Sequence, residues 1–303
     1  MALPTYAGPL ERFWYYAFRV ICGLIFFFLM MPILIIIPLS FNAEPYFSFT
    51  SGMLAFEADA FSLRWYLDIL TNGMVAPDDP FGWAWLADMW QNSQWVGALR
   101  NSFVIGIFAT LLSTALGTLA ALGLARAEMP YRTAIMSLLI SPMIVPLVIT
   151  AAGMFFFYSS IDLAQTHLGV ILAHAALGTP FVIITVTATL VGFDKTLMRA
   201  GASLGAPPRT VFFKIVMPLI LPGVVSGGLF AFITSFDEVV VVLFLAGPEQ
   251  TTIPRQMWSG IREQISPTIL AVATLLVVVS IGLLTTIELL RRRTERLRGV
   301  SAG

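Results

Sequence analysis

The chain has 303 residues, of which 58% are hydrophobic and only 11% are charged, and its formal net charge is zero. Soluble domains usually contain about 25% charged residues, so this chain has too few charges to coat a soluble surface. With a mean hydropathy of +0.87, this composition excludes an ordinary soluble enzyme or binding domain and indicates a protein that is largely surrounded by lipid.

Six apolar runs are long enough to cross a membrane, since a helix needs about 20 residues to span a hydrocarbon core of about 30 Å. In chain order they are residues 20–41, 101–125, 133–158, 168–193, 215–246 and 267–287. The first run is too long for a cleaved signal peptide and contains Pro32 and Pro38, so we expect it to remain as an anchor. The sequence therefore predicts an all-α integral membrane protein with six transmembrane helices, and one domain over residues 1–303.

The basic residues are distributed unequally between the two sides that these six helices define. One side carries Arg12, Arg19, Arg126, Arg132, Lys195, Arg199, Arg209, Lys214, Arg291, Arg292, Arg293, Arg296 and Arg298. The other side carries only Arg64, Arg100, Arg255 and Arg262. Because basic loops stay in the cytoplasm, both termini are predicted to be cytoplasmic. The basic C-terminal tail is expected to touch anionic lipid head groups of the bilayer, with no role in nucleic-acid binding.

The connection over residues 42–99 is long and, in this orientation, external. It contains Trp65, Trp83, Trp85, Trp90 and Trp95, which are five of the seven tryptophans. Tryptophan favours the membrane–water interface, so helices lying on the bilayer are one interpretation. A docking surface for an external partner is the other interpretation, and the sequence leaves both open.

Small residues and prolines mark the second and third spans. Ser113, Gly117 and Ala121 recur every four residues in the second span, a pattern that lets two helices approach closely in lipid. Pro142 and Pro146 are expected to bend the third span, because proline cannot donate a helical hydrogen bond.

The segment over residues 194–217 is predicted to be a structured cytoplasmic loop. Residues 196–204 favour a short helix, which residues 205–208, Gly-Ala-Pro-Pro, should end. A following turn presents an apolar face made of Val211, Phe212, Ile215 and Val216. That face either packs beneath its own helix bundle or docks onto a cytosolic subunit.

The fifth apolar run is interrupted by two adjacent acids, Asp237 and Glu238. Met217 lies twenty residues before Asp237, which corresponds to about 30 Å of helix, yet eight apolar residues still follow the acids. Either the acids mark the membrane boundary, or they are drawn inward to line a hydrated path with Phe236, because the membrane segment starts later or because the chain unwinds near them. A carboxylate in the bilayer needs a partner or water, so the second interpretation favours a cationic solute.

The loop over residues 194–217 resembles the EAA loop of ABC importer permeases. The resemblance is carried by Arg199-Ala200-Gly201-Ala202-Ser203-Leu204-Gly205-Ala206, followed by Phe212, Ile215, Met217-Pro218 and Pro222. The family glycine falls on Gly205 and the downstream proline on Pro218. Two positions depart from the family pattern, since its leading Glu is Arg199 here and its second Ala is Gly201.

Other segments resemble the permeases of the spermidine and putrescine type. These are residues 61–66 (FSLRWY), 98–102 (ALRNS), 235–240 (SFDEVV), 247–248 (GP), 251–254 (TTIP) and 266–267 (SP). The wider family also includes importers for opines, phosphonates and ferric ion, so those solutes remain alternatives to a polyamine.

The resemblance implies a type I permease fold in the bacterial inner membrane and a role in ATP-driven import. The loop residues Arg199, Ala200, Gly201, Ala202, Leu204, Gly205 and Ala206 would then couple to an ATPase, and Phe236, Asp237 and Glu238 would line the solute pathway. Implied partners are two cytosolic ATP-binding-cassette subunits, a second permease subunit, identical or distinct, and an external solute-binding protein. ATP and magnesium would be bound by the ATPase partner, with no cofactor in this chain.

Motifs for chemistry within the chain itself are absent from the sequence. A P-loop needs Gly-Lys-Ser/Thr, and neither Lys195 nor Lys214 stands in one. His167 and His174 are seven residues apart with no nearby cysteine, so we expect neither a metal site nor a catalytic site. A secondary transporter or channel would also have several spans, but it would not need the EAA-like loop and should show related halves, which the sequence lacks.

Overall fold

The computed structural model of the protein describes residues 8–126, 128–194, 196–263 and 266–297. Within these ranges the secondary structure is helical, apart from one isolated bridge between Asn42 and Phe61. The helices are α1 (Pro9–Leu39), α2 (Ser51–Leu54), α3 (Arg64–Thr71), α4 (Trp83–Asn92), α5 (Gln94–Leu124), α6 (Arg132–Ile140), α7 (Leu147–Ser160), α8 (His167–Val191), α9 (Thr196–Ser203), α10 (Pro208–Val211), α11 (Met217–Phe236), α12 (Val240–Leu245), α13 (Ile253–Glu263) and α14 (Thr268–Leu297).

Each predicted apolar run falls on one or more of these helices. Among the residues that the structure describes, four continuous helical stretches are long and apolar enough to cross a membrane: Pro9–Leu39, Gln94–Leu124, His167–Val191 and Pro208–Phe236. The third run forms a bent pair, which adds a fifth candidate if the pair is one span, and the sixth run falls on α14, whose apolar part Thr268–Gly282 is shorter than these candidates. The prediction of an all-α membrane protein is confirmed.

The third run is broken more sharply than a bend. Arg132–Met143 and Leu147–Ser160 meet at 95°. Pro142 lies in the short 3-10 turn Ser141–Met143, and Pro146 is the residue that precedes α7. Since neither proline can donate to a preceding carbonyl, the helix stops and restarts in a new direction.

The contacts divide the chain into two units, Met1–Asn72 with Gly260–Gly303, and Gly73–Ser259. In the described part of the first unit, α14 packs against α1 and α3, and the Thr268 hydroxyl is hydrogen-bonded to the Asp68 carboxylate. None of the 18 most apolar consecutive residues of α1 is buried within the protein, as expected of a helix that faces lipid.

A buried asparagine organises the turn that follows α1. The Asn42 side-chain amide donates to the Tyr46 and Ser48 carbonyl oxygens, both at 3.0 Å. The Trp65 indole N–H donates to the Asn42 carbonyl oxygen at 2.6 Å. The turn therefore satisfies its own backbone groups and fixes where α3 begins relative to the end of α1.

In the second unit, α5, α8 and α11 pack closely against one another through small residues. A Cβ atom added at Gly117 of α5 would lie 2.6 Å from the Val182 Cβ of α8, and one added at Gly227 of α11 would lie 2.8 Å from the Val182 Cα. The Ser113 hydroxyl donates to the Ala175 carbonyl oxygen at 3.0 Å, across the α5–α8 contact. The small-residue pattern of the second span therefore serves close helix packing, as the sequence predicts.

We expect Gly227→Ala to destabilise the bundle by about 1–3 kcal/mol, because the new methyl group meets the backbone of α8 and has no room to move. Gly123→Ala is the matched control, since a Cβ atom there has nothing within 4 Å and alanine favours the helix. Thermal unfolding of the two purified variants in detergent measures the difference. Equal melting temperatures would contradict this account of the α8–α11 contact.

Candidate functional site

Helix α9 ends in a hydrogen-bonded turn that places a glycine in the left-handed region. The Gly205 N–H donates to the Ala202 carbonyl oxygen at 2.9 Å, and the Ala206 N–H donates to the Gly201 carbonyl oxygen at 3.1 Å. These two bonds define a Schellman motif, which satisfies the last carbonyl groups of a helix. Gly205 has a φ of +78°, which explains why glycine stands there.

The apolar face of the loop over residues 194–217 is covered by the protein itself. Val211 and Val216 are buried, and Val216 belongs to the same core cluster as Ala121 of α5 and Val186 of α8. Of the two alternatives for this face, the structure shows packing beneath its own bundle. Helix α9, in contrast, is exposed apart from Gly201.

Gly201 brings the two halves of the loop together. It is buried, and a Cβ atom added to it would lie 2.8 Å from the Ile215 Cδ1 and 3.3 Å from the Val211 Cγ2. Gly201 is therefore not accessible at the surface of the loop, although the resemblance to the EAA loop groups it with the coupling residues. Its exposed neighbours are Arg199, Ala200, Ala202, Leu204 and Gly205, with Ala206 half-buried.

A cleft of about 950 Å³ opens beside this loop, between the ends of α5 and α8. Leu119, Phe193, Met198 and Phe212 contribute to its largely apolar lining. Because the cleft has loop residues on one side and helix ends on the other, a displacement of the loop would change its width.

The two acids lie at a break between helices. Helix α11 ends at Phe236, α12 begins at Val240, and Asp237 and Glu238 occupy the interval, which we call the acid break. The chain therefore unwinds at the acids, which is one of the two alternatives considered from the sequence. The apolar residues that follow form α12, where Val241, Val242 and Leu245 are buried.

Glu238 and Asp237 have different surroundings. Glu238 is buried, and its Oε1 accepts a hydrogen bond of 2.9 Å from the Val241 N–H, in the first turn of α12. A carboxylate at this position accepts from a backbone N–H that has no partner within the helix, and it lies at the positive end of the helix dipole. The start of α12 after the break therefore explains why an acidic residue stands at position 238. Asp237, in contrast, is exposed.

An aromatic cluster lies next to Asp237. The Phe236 ring centroid is 5.4 Å from that of Phe103 on α5 and 5.6 Å from that of Phe232. Phe236 is half-buried and Phe103 is exposed. The acid break thus combines one accessible carboxylate with aromatic faces, and both attract organic cations.

The structure reveals a polar contact beside the break that the sequence does not predict. The His174 Nδ1 of α8 and the Ser235 hydroxyl of α11 lie 2.7 Å apart, and both side chains are buried. Their hydrogen bond holds the last turn of α11 against α8. The pairing joins residues 61 positions apart, so no local pattern could have indicated it.

The five tryptophans of residues 42–99 do not share one environment. Trp85 and Trp95 are buried, and the Trp85 indole N–H donates to the Pro77 carbonyl oxygen at 3.2 Å. Trp90 is exposed with the Arg100 guanidinium over its ring, and Trp83 is 89% exposed. An interface with lipid or with a protein partner therefore rests on Trp83 and Trp90, and the choice between these partners stays a prediction.

A carboxylate of α4 fixes the turn that precedes this helix. Asp88 accepts hydrogen bonds from the Ala76 N–H at 2.9 Å and from the Asn92 amide at 2.6 Å. These bonds hold the pKa of Asp88 below its ordinary value. Asp88 therefore ties α4 to the turn before it.

Metal ligands do not gather anywhere in the described part of the chain, where no group of three or more His, Cys, Asp or Glu side chains could hold an ion. The candidate site consists of three features: the loop over residues 194–217 with its exposed short helix α9, the cleft beside this loop, and the acid break between α11 and α12.

Comparison with known proteins identifies the family. Residues 113–296 match the family described as binding-protein-dependent transport system inner membrane component, and the chain belongs to that family. It is an ABC importer permease with the type I fold, and it is the membrane subunit of such a system.

Among curated proteins, the chain is similar to spermidine/putrescine transport system permease protein PotC of Haemophilus influenzae. The two are 28% identical over 271 residues, covering 89% of this chain and 95% of that protein. PotC of Escherichia coli K12 is 27% identical over 268 residues, covering 88% and 91%. Putrescine transport system permease protein PotI of the same strain is 28% identical over 284 residues, covering 91% of each.

Among solved structures, the chain is similar to a subunit of a bacterial ABC transporter involved in the import of the acidic polysaccharide alginate. The TM-score is 0.69 at 13% identity, covering 94% of this chain and 99% of that one. The structure of a bacterial alginate ABC transporter in complex with a pentasaccharide-bound periplasmic protein gives a TM-score of 0.59 at 16% identity. At these identities the comparison supports the fold.

We expect Gly205→Ala to destabilise the end of α9, because alanine in the left-handed region costs about 1–2 kcal/mol. Gly192→Ala is the matched control, since both added Cβ atoms lack close contacts but only Gly205 has a positive φ. Hydrogen–deuterium exchange of the α9 amides should accelerate in the first variant and stay unchanged in the second. Identical exchange in both would contradict the assigned role of Gly205.

Proposed function

We propose that this chain is a membrane subunit of a bacterial ATP-driven importer for polyamines. Its match to three spermidine or putrescine permeases covers about nine tenths of the chain and of each relative, which supports a common solute class. The observation that carries the proposal is the acid break, because an exposed carboxylate beside aromatic rings suits a solute that bears ammonium groups.

In the proposed transporter, the chain pairs with a second permease subunit and the two enclose the solute pathway. Two cytosolic ATP-binding-cassette subunits bind ATP and magnesium, and an external binding protein delivers the solute. Both termini lie in the cytoplasm, which agrees with the excess of basic residues on that side. Residues 42–99 are external and residues 194–217 are cytoplasmic in this arrangement.

The exposed face of α9 is the proposed contact with the ATPase. Leu204 is 87% exposed at the end of α9, where the two backbone hydrogen bonds of the Schellman motif hold the chain in place. Leu197 and Met198 are also exposed on this helix, so α9 offers apolar side chains that fit an apolar pocket of a partner. Arg199 stands where the EAA pattern has its leading Glu, so the expected counterpart on the ATPase is an acidic group. A basic residue at that position of the ATPase would repel Arg199.

The proposed docking predicts that Leu204→Asp reduces copurification of the ATPase subunits with the permease. The change removes an apolar contact and places a charge at the interface. The hydrogen bonds of the Schellman motif at the end of α9 join backbone groups, so they persist in this variant. Leu63→Asp is the control, because Leu63 is also exposed but lies in the segment predicted to be external. Unchanged copurification of the Leu204→Asp variant would remove α9 from the interface.

The proposed solute predicts that Asp237→Asn lowers uptake of labelled spermidine and putrescine about tenfold or more, since a charge-assisted contact is worth about 1.5–3 kcal/mol. Glu238→Gln should have a smaller effect, because the amide oxygen can still accept from the Val241 N–H. Asp79→Asn removes the same charge from a turn outside the site and serves as the control.

These uptake measurements use cells that express the whole transporter, with the amount of each variant in the membrane determined separately. Competition by unlabelled opines, phosphonates and ferric ion tests the alternative solutes in the same cells. Wild-type uptake by the Asp237→Asn variant, or transport of one of these solutes in place of the polyamine, would contradict the proposal.

A further inference from the structure

Two sequence segments that resemble the polyamine permeases, residues 98–102 and 247–254, meet in the structure. The Asn101 side-chain amide of α5 donates to the Glu249 carbonyl oxygen at 2.7 Å and to the Thr251 carbonyl oxygen at 3.0 Å. The Ser102 hydroxyl accepts a hydrogen bond of 2.8 Å from the Ile253 N–H. Two adjacent side chains of α5 thus bind the backbone of the segment between α12 and α13.

The same segment is bound again where α12 ends. The Arg255 guanidinium donates from its Nη1 to the Ala246 carbonyl oxygen at 2.8 Å and to the Gly247 carbonyl oxygen at 3.0 Å. The Gln250 side chain accepts from the Gly247 N–H at 3.0 Å. The Arg255 bonds satisfy two carbonyl groups just after α12, and the Gln250 bond satisfies the Gly247 N–H.

The start of α8 completes this arrangement. The Gln165 N–H donates to the Leu245 carbonyl oxygen at 2.8 Å, and the His167 Nε2 lies 3.2 Å from the Asn101 Oδ1. Since both amide hydrogens of Asn101 are used on carbonyl groups, its Oδ1 is the acceptor and His167 is the donor. We call residues 245–255 with Asn101, Ser102, Gln165 and His167 the clasp.

The clasp lies one short helix away from the acid break. Helix α12 has six residues, about 9 Å, with Glu238 bound to its first turn and the clasp at its other end. Ile105, one turn beyond Asn101 on α5, belongs to the same buried cluster as Val241 and Leu245. The position of α12 is therefore set by its packing and by these hydrogen bonds together.

We propose that Asn101 is a positioning residue for transport: through the clasp it holds α12, and with it the acid break, in place against α5 and α8. The Asn101 amide makes three of the clasp contacts, to two carbonyl groups and to His167, and it is buried. Its removal leaves the Glu249 and Thr251 carbonyl groups without this donor, which favours release of the segment. The role in transport rests on the proposed function, whereas the clasp itself does not.

A cysteine at position 252 reports directly on the clasp. Thr252 is 2% exposed and lies between the Thr251 carbonyl group that Asn101 holds and the Ile253 N–H that Ser102 holds. Its hydroxyl has no hydrogen-bond partner among the described residues, so Thr252→Cys removes no such contact. The native Cys22 is replaced by serine, and the protein is purified into nanodiscs, where a soluble maleimide reaches both faces.

The rate of maleimide labelling at position 252 should rise on the order of tenfold in the Asn101→Leu variant, as expected for loss of one or two hydrogen bonds. Asn101→Asp should behave like Asn101→Leu, because it keeps the side-chain shape but has no amide donor. Asn92→Leu is the control, since it removes an exposed amide that does not contact the clasp. A second cysteine in place of the buried Ser113 should remain unlabelled throughout, which distinguishes local release from unfolding.

In cells that contain the complete transporter, the two Asn101 variants should lower the initial rate of polyamine uptake several-fold at an unchanged amount of protein in the membrane. A wild-type labelling rate in the Asn101→Leu and Asn101→Asp variants would contradict the claim that the Asn101 amide holds the clasp segment in place. Raised labelling with unchanged uptake would overturn its role in transport. If the unmodified transporter takes up no polyamine, the proposed function fails, while the labelling comparison still tests the clasp.

Discussion

Hydrocarbon offers no hydrogen bonds to the backbone, so every helix that ends inside a membrane protein must find partners for its last N–H and C=O groups within the chain or in a water-filled cavity. This constraint explains the side chains around α12. Its first turn donates to the Glu238 carboxylate, and the carbonyl groups at and after its end accept from Arg255 and the Gln165 N–H. A break in a span thus requires polar side chains at both ends of the fragment.

The same solvent also removes the usual reason for helices to associate, because lipid chains are as apolar as leucine. Packing in the three-helix core therefore depends on close approach, which Gly117, Gly178 and Gly227 allow. The exposed apolar residues of α1 need no such partner. Small residues thus mark the helices that pack within the protein, and large apolar residues mark the surface that meets lipid.

Much of the architecture could be predicted from the sequence, because spans depend on the length of apolar runs and loops on local signals. Gly205 and the prolines after it mark the end of α9 without any tertiary information. Contacts between distant residues could not be predicted, since nothing near Asn101 indicates that it binds backbone groups about 150 residues away. The separate roles of Asp237 and Glu238 likewise depend on which acid faces the interior, and adjacency in sequence does not decide that.

The order of these elements along the chain suggests how the proposed coupling could act. From Pro208 the helical stretch runs through the π turn Phe212–Val216 and α11 to Phe236, a nearly continuous rod of about 40 Å. One end of this rod packs against α9 through Val211 and Ile215, and the other end stops at the acid break. Beyond the break, α12 is held by the clasp. A movement of α9 would therefore be transmitted along α11 to the three-helix core, because α11 packs against α5 and α8 and its last turn is hydrogen-bonded to α8 through His174 and Ser235. The acid proposed to face the solute, Asp237, thus lies where the helix that contacts α9 ends and the segment held by the clasp begins.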